Sequence, residues 1–405
     1  MTFPANWQTR RARFSFSRRD VRGADAPLAS ATKDGVRLRS DLDFSVWNPD
    51  SNVSNYKLVE PDDFVIGLRS FQHGISHSAV RGIVSPAYTV LRSVGDLDPR
   101  FFKHYFRSSL LISHLANITQ GIRQGQAIDI EAFQNLPMPV PPLEEQRRIA
   151  DFLETETARI DRLGDRYQKL SDLAVERARA VIDRALTGLS EEFSVPASAV
   201  CSAIVDCVNK TAPTSTEATP YKMIRTSNIR NGEVDLSGTF SVERGVFIEW
   251  NRRGAPRNGD ILFTREAPLG QVGMLRTDIS TFLGQRIVLY RANENMIKKE
   301  LLLYNFLGSH MDRQLRLLGA GSLHEHMRVG DCLKLRIYCP PRTQQDGLVA
   351  EIEVGRAKSL RLANLAKRQL ALLAERRQAL ITAAVTGQFD VSTASGRNAT
   401  DGVTA

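Results

Sequence analysis

The chain has 405 residues, 42% of them hydrophobic, with 54 basic against 45 acidic side chains, a net charge of +9 and a pI near 9.5. That length exceeds one ordinary domain and the apolar content suffices for real cores, so three or four compact units are expected, and the basic balance favours a polyanion as partner. No apolar run approaches the roughly 18 residues of a membrane span, and Met1-Thr2-Phe3-Pro4 lacks a signal peptide's charged and apolar regions, so a cytoplasmic protein without membrane attachment is expected.

From the start, Trp7-Gln8-Thr9-Arg10-Arg11-Ala12-Arg13-Phe14-Ser15-Phe16 interleaves basic and aromatic residues. It is either an arm lying on phosphates or, the preferred reading, an element that packs Trp7, Phe14 and Phe16 while its arginines stay solvated. From Pro27 to Leu136 short strand-like runs alternate with Gly, Pro, Asn and Asp turns: Gly35 to Leu38, Tyr56 to Val59, Phe64 to Leu68, Gly82 to Val84 and Tyr88 to Leu91. A helix around Arg100 to Leu115 closes this α+β unit.

Pro141 and Pro142 then force an extended approach, Glu144 and Glu145 complement the positive end of a helix dipole, and Gly188 after Thr187 supplies a left-handed stop. Between these signals Leu153, Ile160, Tyr167, Ala174 and Val181 recur every seven residues, with Leu163 and Leu170 between them. That spacing predicts a coiled-coil rod of about 60 Å rather than a globular helix. Residues 191 to 335 repeat the mixed pattern, with strands expected at Tyr221 to Ile224, Gly259 to Thr264 and Arg286 to Tyr290 and a helix from Glu300 to Leu318.

Four cysteines, at 201, 207, 332 and 339, match neither a disulfide framework nor the paired CxxC of a zinc site, and are read as structural or incidental thiols. His324-Glu325-His326 has no third ligand in sequence reach and is read as an exposed polar turn, so no metal or cofactor is expected. Ser392 to Ala405 is small and polar, and disorder is expected there.

One offset of 199 residues relates Pro141-Pro142 to Pro340-Pro341 and Thr187-Gly188 to Thr386-Gly387. In between it pairs Gln146 with Gln345, Leu163 with Leu362, Leu173 with Leu372, Glu176-Arg177 with Glu375-Arg376 and Ile182 with Ile381, and upstream it pairs Tyr105 with Tyr304. The chain reads as two copies of one unit. Since a lone rod would expose its stripe, each long helix is expected to pack on the other. The expected division is 1–135, 136–190, 191–335 and 336–390, with a tail at 391–405.

Pro-Pro-Leu-x-Glu-Gln-x-x-Ile-Ala at 141 to 150, led in by Leu-Pro-Met-Pro-Val at 136 to 140, resembles the helix start of type I restriction-modification specificity subunits. Gly-Asp-Ile-Leu at 259 to 262, Ser-Asn-Ile-Arg-Asn-Gly at 227 to 232 and Ser-Pro-Ala-Tyr at 85 to 88 are similar to stretches of that family's target recognition domains. The resemblance implies an α+β fold in which two target recognition domains are joined by two long antiparallel coiled-coil helices. It implies that each domain reads one half of a split double-stranded DNA target, with two methyltransferase (modification) subunits and two restriction/translocase subunits as partners. Leu143, Glu145, Gln146 and Ile149, with Gln345 of the second copy, are the partner-binding candidates. The second copy departs from the pattern, Arg342-Thr343-Gln344-Gln345 standing where the first has Leu143-Glu144-Glu145-Gln146.

Direct readout needs Arg or Lys for guanine and Asn or Gln for adenine. Arg69, Ser70, Gln72, His73, Ser76 and His77 offer that mix around Gly74, which would allow close backbone approach. Lys210, Arg225, Thr226, Asn228, Arg230, Asn231 and Arg265 are the comparable residues of the second half. Each cluster is either a DNA contact or an ordinary solvated loop. No Asn-Pro-Pro-Tyr or Asp-Pro-Pro-Tyr of an amino-methyltransferase and no GxxxxGK[ST] phosphate loop occurs, so the chain is expected to perform no chemistry itself. A coiled-coil scaffold that does not read DNA and a stand-alone DNA-modifying enzyme are the alternatives.

Overall fold

Two long helices, Leu143–Thr187 and Arg342–Val385, begin directly after the paired prolines. The structure, a computed structural model, describes residues 3–42, 53–120, 127–266, 268–319 and 327–391. The triplet at 324 to 326 and the tail from 392 lie outside the described residues. Packing divides the chain into Met1–Tyr167 with Arg368–Ala405 and, as a second unit, Gln168–Lys367. Each unit thus takes half of each long helix, and the division falls inside the helices rather than at their ends.

In the first unit Phe16–Arg19, Thr89–Ser93, Phe64–Ile66 and Ser76–His77 form an antiparallel sheet in that order. Phe16, Phe64, Phe101, Phe102, Tyr105 and Phe106 pack ring to ring beneath it, mostly edge to face. The basic arm is a strand, Gln8–Arg11, paired antiparallel with Pro137–Val140, the segment that leads into the first long helix. Trp7 and Phe16 are buried as expected, but Phe14 is 63% exposed. The tight turn Ala12–Phe14 explains this: with three residues per turn it points Ala12 and Ser15 inward and leaves Phe14 outside.

The second unit has a six-stranded sheet ordered Cys201–Asp206, Ile287–Ala292, Ile261–Thr264, Val272–Met274, Gly232–Val234 and Ile229–Arg230. Its first four strands repeat the order and antiparallel pairing of the first unit's sheet, and the segment Arg336–Tyr338 before the second long helix again pairs with a strand, Ser194–Pro196. The strands expected near 221–224, 259–264 and 286–290 are present. Both expected closing helices are interrupted: Pro99–Tyr105 gives way to Ser109–Asn117, and Lys299–Leu307 to Ser309–Gly319. Ser108 accepts from Leu111 N–H to start a new helix at the first break. Asp183 of the first long helix accepts from Ser309 at the second.

Within each unit the two long helices run antiparallel. Gly164 faces Leu370 and Arg377 Nε lies 3.0 Å from Asp161 in the first, while Gly355 packs on Val181 in the second. The buried side chains include Leu153, Thr157, Ile160, Ser171, Ala174, Ala178 and Ile182 on one helix, and Gln345, Val349, Ile352, Ser359, Ala363 and Ala366 on the other. Leu153, Ile160 and Ala174 of the heptad are therefore inside and Tyr167 is half-buried, but the companions are small residues four positions on, not the leucines three positions on. Leu163 and Leu170 are 38% and 37% exposed, and Leu362, Leu365 and Leu372 are exposed too. Small side chains let the backbones approach closely, and that contact excludes a seam of bulky leucines.

Candidate nucleic-acid interface

Each unit carries one sheet-edge turn built from the same parts. Asp63 and Asp260 are buried; each carboxylate accepts a backbone N–H from three residues upstream, Glu60 at 2.8 Å and Arg257 at 2.7 Å. Each also holds an arginine of the neighbouring strand, Arg92 at 3.0 Å and Arg291 at 2.7 Å. The residue before each aspartate has positive φ, 66° at Asp62 and 92° at Gly259. Gly-Asp-Ile-Leu is thus a structural turn that orients a strand, not a reading element.

A second pair of twins ties each domain helix to a long helix. Gln146 is 1% exposed; its Oε1 accepts from Asp98 N–H at 2.9 Å and its Nε2 donates to Pro141 C=O at 2.8 Å. Gln345 accepts from Lys298 N–H and donates to Pro340 and Met296 C=O, each at 2.8 Å. Asp98 and Lys298 are the residues immediately preceding the closing helices, so both glutamines use up their amides inside their own unit. Ile149 is likewise buried in the first core. Of the partner-binding candidates only Leu143 and Glu145 present partly exposed side chains, because the face bearing Gln146 and Ile149 is the one the helix buries.

Among the DNA-binding candidates of the first unit, Arg69, Gln72 and His73 are exposed, on or beside the short helix Ser70–His73. Ser70 and Ser76 are buried and spend their hydroxyls internally, Ser70 accepting from Gly67 N–H and Ser76 donating to Thr32 C=O. His77 lies 2.9 Å from Asp62, and burial, partly offset by that carboxylate, pulls its pKa down. Gly74 has φ 80°, and a Cβ there would meet Phe106 O at 2.1 Å; the close approach it permits is to its own chain.

Arg69 and His73 line a cleft of about 670 Å³ together with Lys33 and Arg37 from the hairpin Ala29–Thr32/Gly35–Leu38. Sequence reasoning missed these two residues, although Asp34-Gly35 is a hairpin-turn dipeptide that could have pointed to them.

In the second unit Lys210, Arg230 and Asn231 are exposed. Arg225 stacks its guanidinium 4.2 Å from the Phe240 ring centroid and donates to Gly238 C=O, and Thr226 is half-buried beside it. Asn228 is buried and accepts from Arg225 N–H, so it shapes the loop rather than facing outward. Arg265 is buried, pairs with Asp206 at 3.0 Å and donates to Met327 C=O, which makes it a structural cation. Asn231, at φ 53°, is held to the second long helix by Arg356, whose Nη2 donates to its carbonyl at 2.9 Å. The exposed candidates flank hairpins and turns on rigid sheets, which suits them to groove contacts. Among the described residues no cluster of three or more His, Cys, Asp or Glu side chains could hold a metal, and no helix is long and apolar enough to cross a membrane.

Comparison with known proteins places this geometry. Residues 55–171 match the family model described as the type I restriction modification DNA specificity domain. The chain is similar to the type I restriction enzyme EcoBI specificity subunit of Escherichia coli, 22% identical over 294 residues that cover 63% of this chain and 59% of that one. It is also similar to the EcoKI specificity subunit of Escherichia coli strain K12, 25% identical over 243 residues, 54% of this chain and 50% of that one. The chain thus spans little more than half the length of the curated relatives it matches. A chain solved in work on complex assembly and conformational transition of the type I R-M system superposes with TM-score 0.61 at 17% identity, covering 96% of this chain and 100% of that one, a likeness of fold. The resemblance read from the sequence and the expected fold class are both borne out.

Proposed function

We propose that this chain, a relative of the type I specificity subunits, is the DNA-reading subunit of a restriction-modification complex. Each unit reads one half of a bipartite, asymmetric duplex target, and the chain directs partner methyltransferase and restriction subunits to it while carrying out no chemistry of its own. The observation that supports this best is the repetition of one scaffold under different polar loops. The sheet order, the Asp–Arg turn and the buried glutamine recur in both units, whereas Arg69, Gln72 and His73 in one and Lys210, Arg230 and Asn231 in the other share no pattern. Repeated architecture with divergent exposed donors and acceptors is what two independent readers require. Leu163, Leu170, Leu362 and Leu365 are exposed on the long helices, where partner helices would cover them, and Leu143 and Glu145 are partly exposed at the start of the first.

The test exchanges residues 20 to 135 for those of another family member, co-expresses the hybrid with its methyltransferase and maps methylated adenines. One half-site changes and the other stays. A change in both half-sites would refute independent readers, and random duplex left unbound at low salt would favour a scaffold that does not read DNA.

A further inference from the structure

Adjoining the cleft of Arg69 and His73, and sharing Asp34, Arg37 and Asp41 with it, is a second cleft of about 460 Å³. Arg37 enters it from the hairpin, Lys103 and Arg107 from the closing helix and its end, and Arg377 from the second long helix, all within the first unit. Asp34 and Asp41 line it as well, both exposed, whereas Lys103, Arg107 and Arg377 are half-buried. The deeper groups are therefore cationic and the acids lie where water screens them.

Two of these cations are already matched, Arg377 by Asp161 at 3.0 Å and Lys103 by Glu154 at 3.8 Å. Arg107 is not: among the described residues its guanidinium has no hydrogen bond or ion pair, although burial costs it enough to lower its pKa. Beside it His104 is 5% exposed and lines the same cleft, and its Nε2 has no hydrogen-bond partner. Only one acid, the exposed Asp34, acts on Arg107 through space, and a half-buried cation without a hydrogen-bonded counterion and a buried polar nitrogen without a partner are each expensive to leave unmatched. Both are resolved by one anion with several acceptor oxygens, held by a guanidinium fork and a ring N–H.

We propose that this cleft is a phosphate-binding site that takes a backbone phosphate of the duplex, held by Arg107, His104 and Arg37. The inference rests on the DNA-reading function proposed above. Arg37 lines both clefts, so a phosphate seated here lies beside the cleft of Arg69 and His73, which positions the chain for contact with bases there.

The experiment compares the full chain with R107M and R37Q. Binding to a random duplex is followed by fluorescence anisotropy across a salt series, and thermal stability is followed in inorganic phosphate against chloride at equal ionic strength. Each variant is expected to weaken duplex binding and to reduce the slope of log K against log salt by about one. Phosphate should raise the melting midpoint of the wild type but not of R107M. In phosphate-free buffer R107M should melt no lower than the wild type, since it loses a half-buried charge that has no ion pair and keeps its alkyl stem.

Loss of the phosphate effect in R107M with unchanged duplex binding would overturn the duplex as the source and leave a free-anion site. No change in either measurement overturns the site altogether. A wild type that binds no duplex sinks the proposed function instead, and the phosphate measurement then judges the cleft alone.

Discussion

Replacing Gln146 by leucine keeps the volume of the side chain and removes both of its amide bonds. Asp98 N–H and Pro141 C=O, paired at 2.9 and 2.8 Å, are then left without partners beside a buried apolar side chain. Two orphaned groups at about 1–3 kcal/mol each, less about 2 kcal/mol gained from burying leucine, give a net loss of up to about 4 kcal/mol. Q345L should cost at least as much, because Gln345 serves Lys298 N–H, Pro340 C=O and Met296 C=O. Each bond is internal to one unit, so Q146L should weaken the first unit and Q345L the second. Urea unfolding followed by circular dichroism gives the magnitude, and hydrogen exchange at Asp98 and Lys298 shows which unit opens. The reasoning fails if Q146L keeps wild-type stability and exchange while no longer binding a methyltransferase subunit, for the amide would then be serving a partner.

Ile149 and Leu143, one turn and a half apart, should respond oppositely: I149D loses the fold of the first unit by circular dichroism, because the residue is buried in that core, whereas L143D stays folded and affects only complex formation measured by gel filtration with the methyltransferase. His310 is buried with its Nε2 unpartnered, and burial, with Arg313 adding to it and Asp183, Asp312 and Glu191 opposing, lowers its pKa to about 4. Its folded state therefore takes up a proton less readily than the unfolded chain, so stability falls as pH drops from about 6.5 toward 4, and H310Q should flatten that part of a melting-midpoint profile. Val181 packs on Gly355, which puts Asp172 opposite Asn364 on the antiparallel partner, and matched four-residue helical insertions at these two points lengthen the pair by about 6 Å while nearly keeping the seam's face. If helix length sets the distance between half-sites, the methylated spacer grows by about one base pair or more with both half-sites unchanged; an active mutant with its original spacer would contradict this.

Local signals were sufficient for the helix starts, because prolines and acidic residues in the first turn act on the backbone within one turn, but of the two expected left-handed glycine stops only Gly387 adopts one, at φ 70°, and Gly188 does not. The twofold plan was legible too, since an offset of 199 residues needs only self-comparison. Which flank of the heptad stripe faces inward was not: steps of three and four residues from Leu153 differ by only about 100° around the helix, and both are compatible with a seven-residue repeat. The partner helix decided it, through the close fit of Gly355 on Val181 and the small residues Ser359, Ala363 and Ala366, which turned Leu163 and Leu170 outward. The same holds at the candidate sites. Composition marks Arg265 and Arg69 alike as polar loop cations, yet Asp206, 59 positions before Arg265, lies within 3.0 Å of one and Arg69 stays in solvent. A side chain's role depends on what the fold brings opposite it, and for Gln146 and Arg265 the neighbours Asp98 and Asp206 come from pairings that no local pattern encodes.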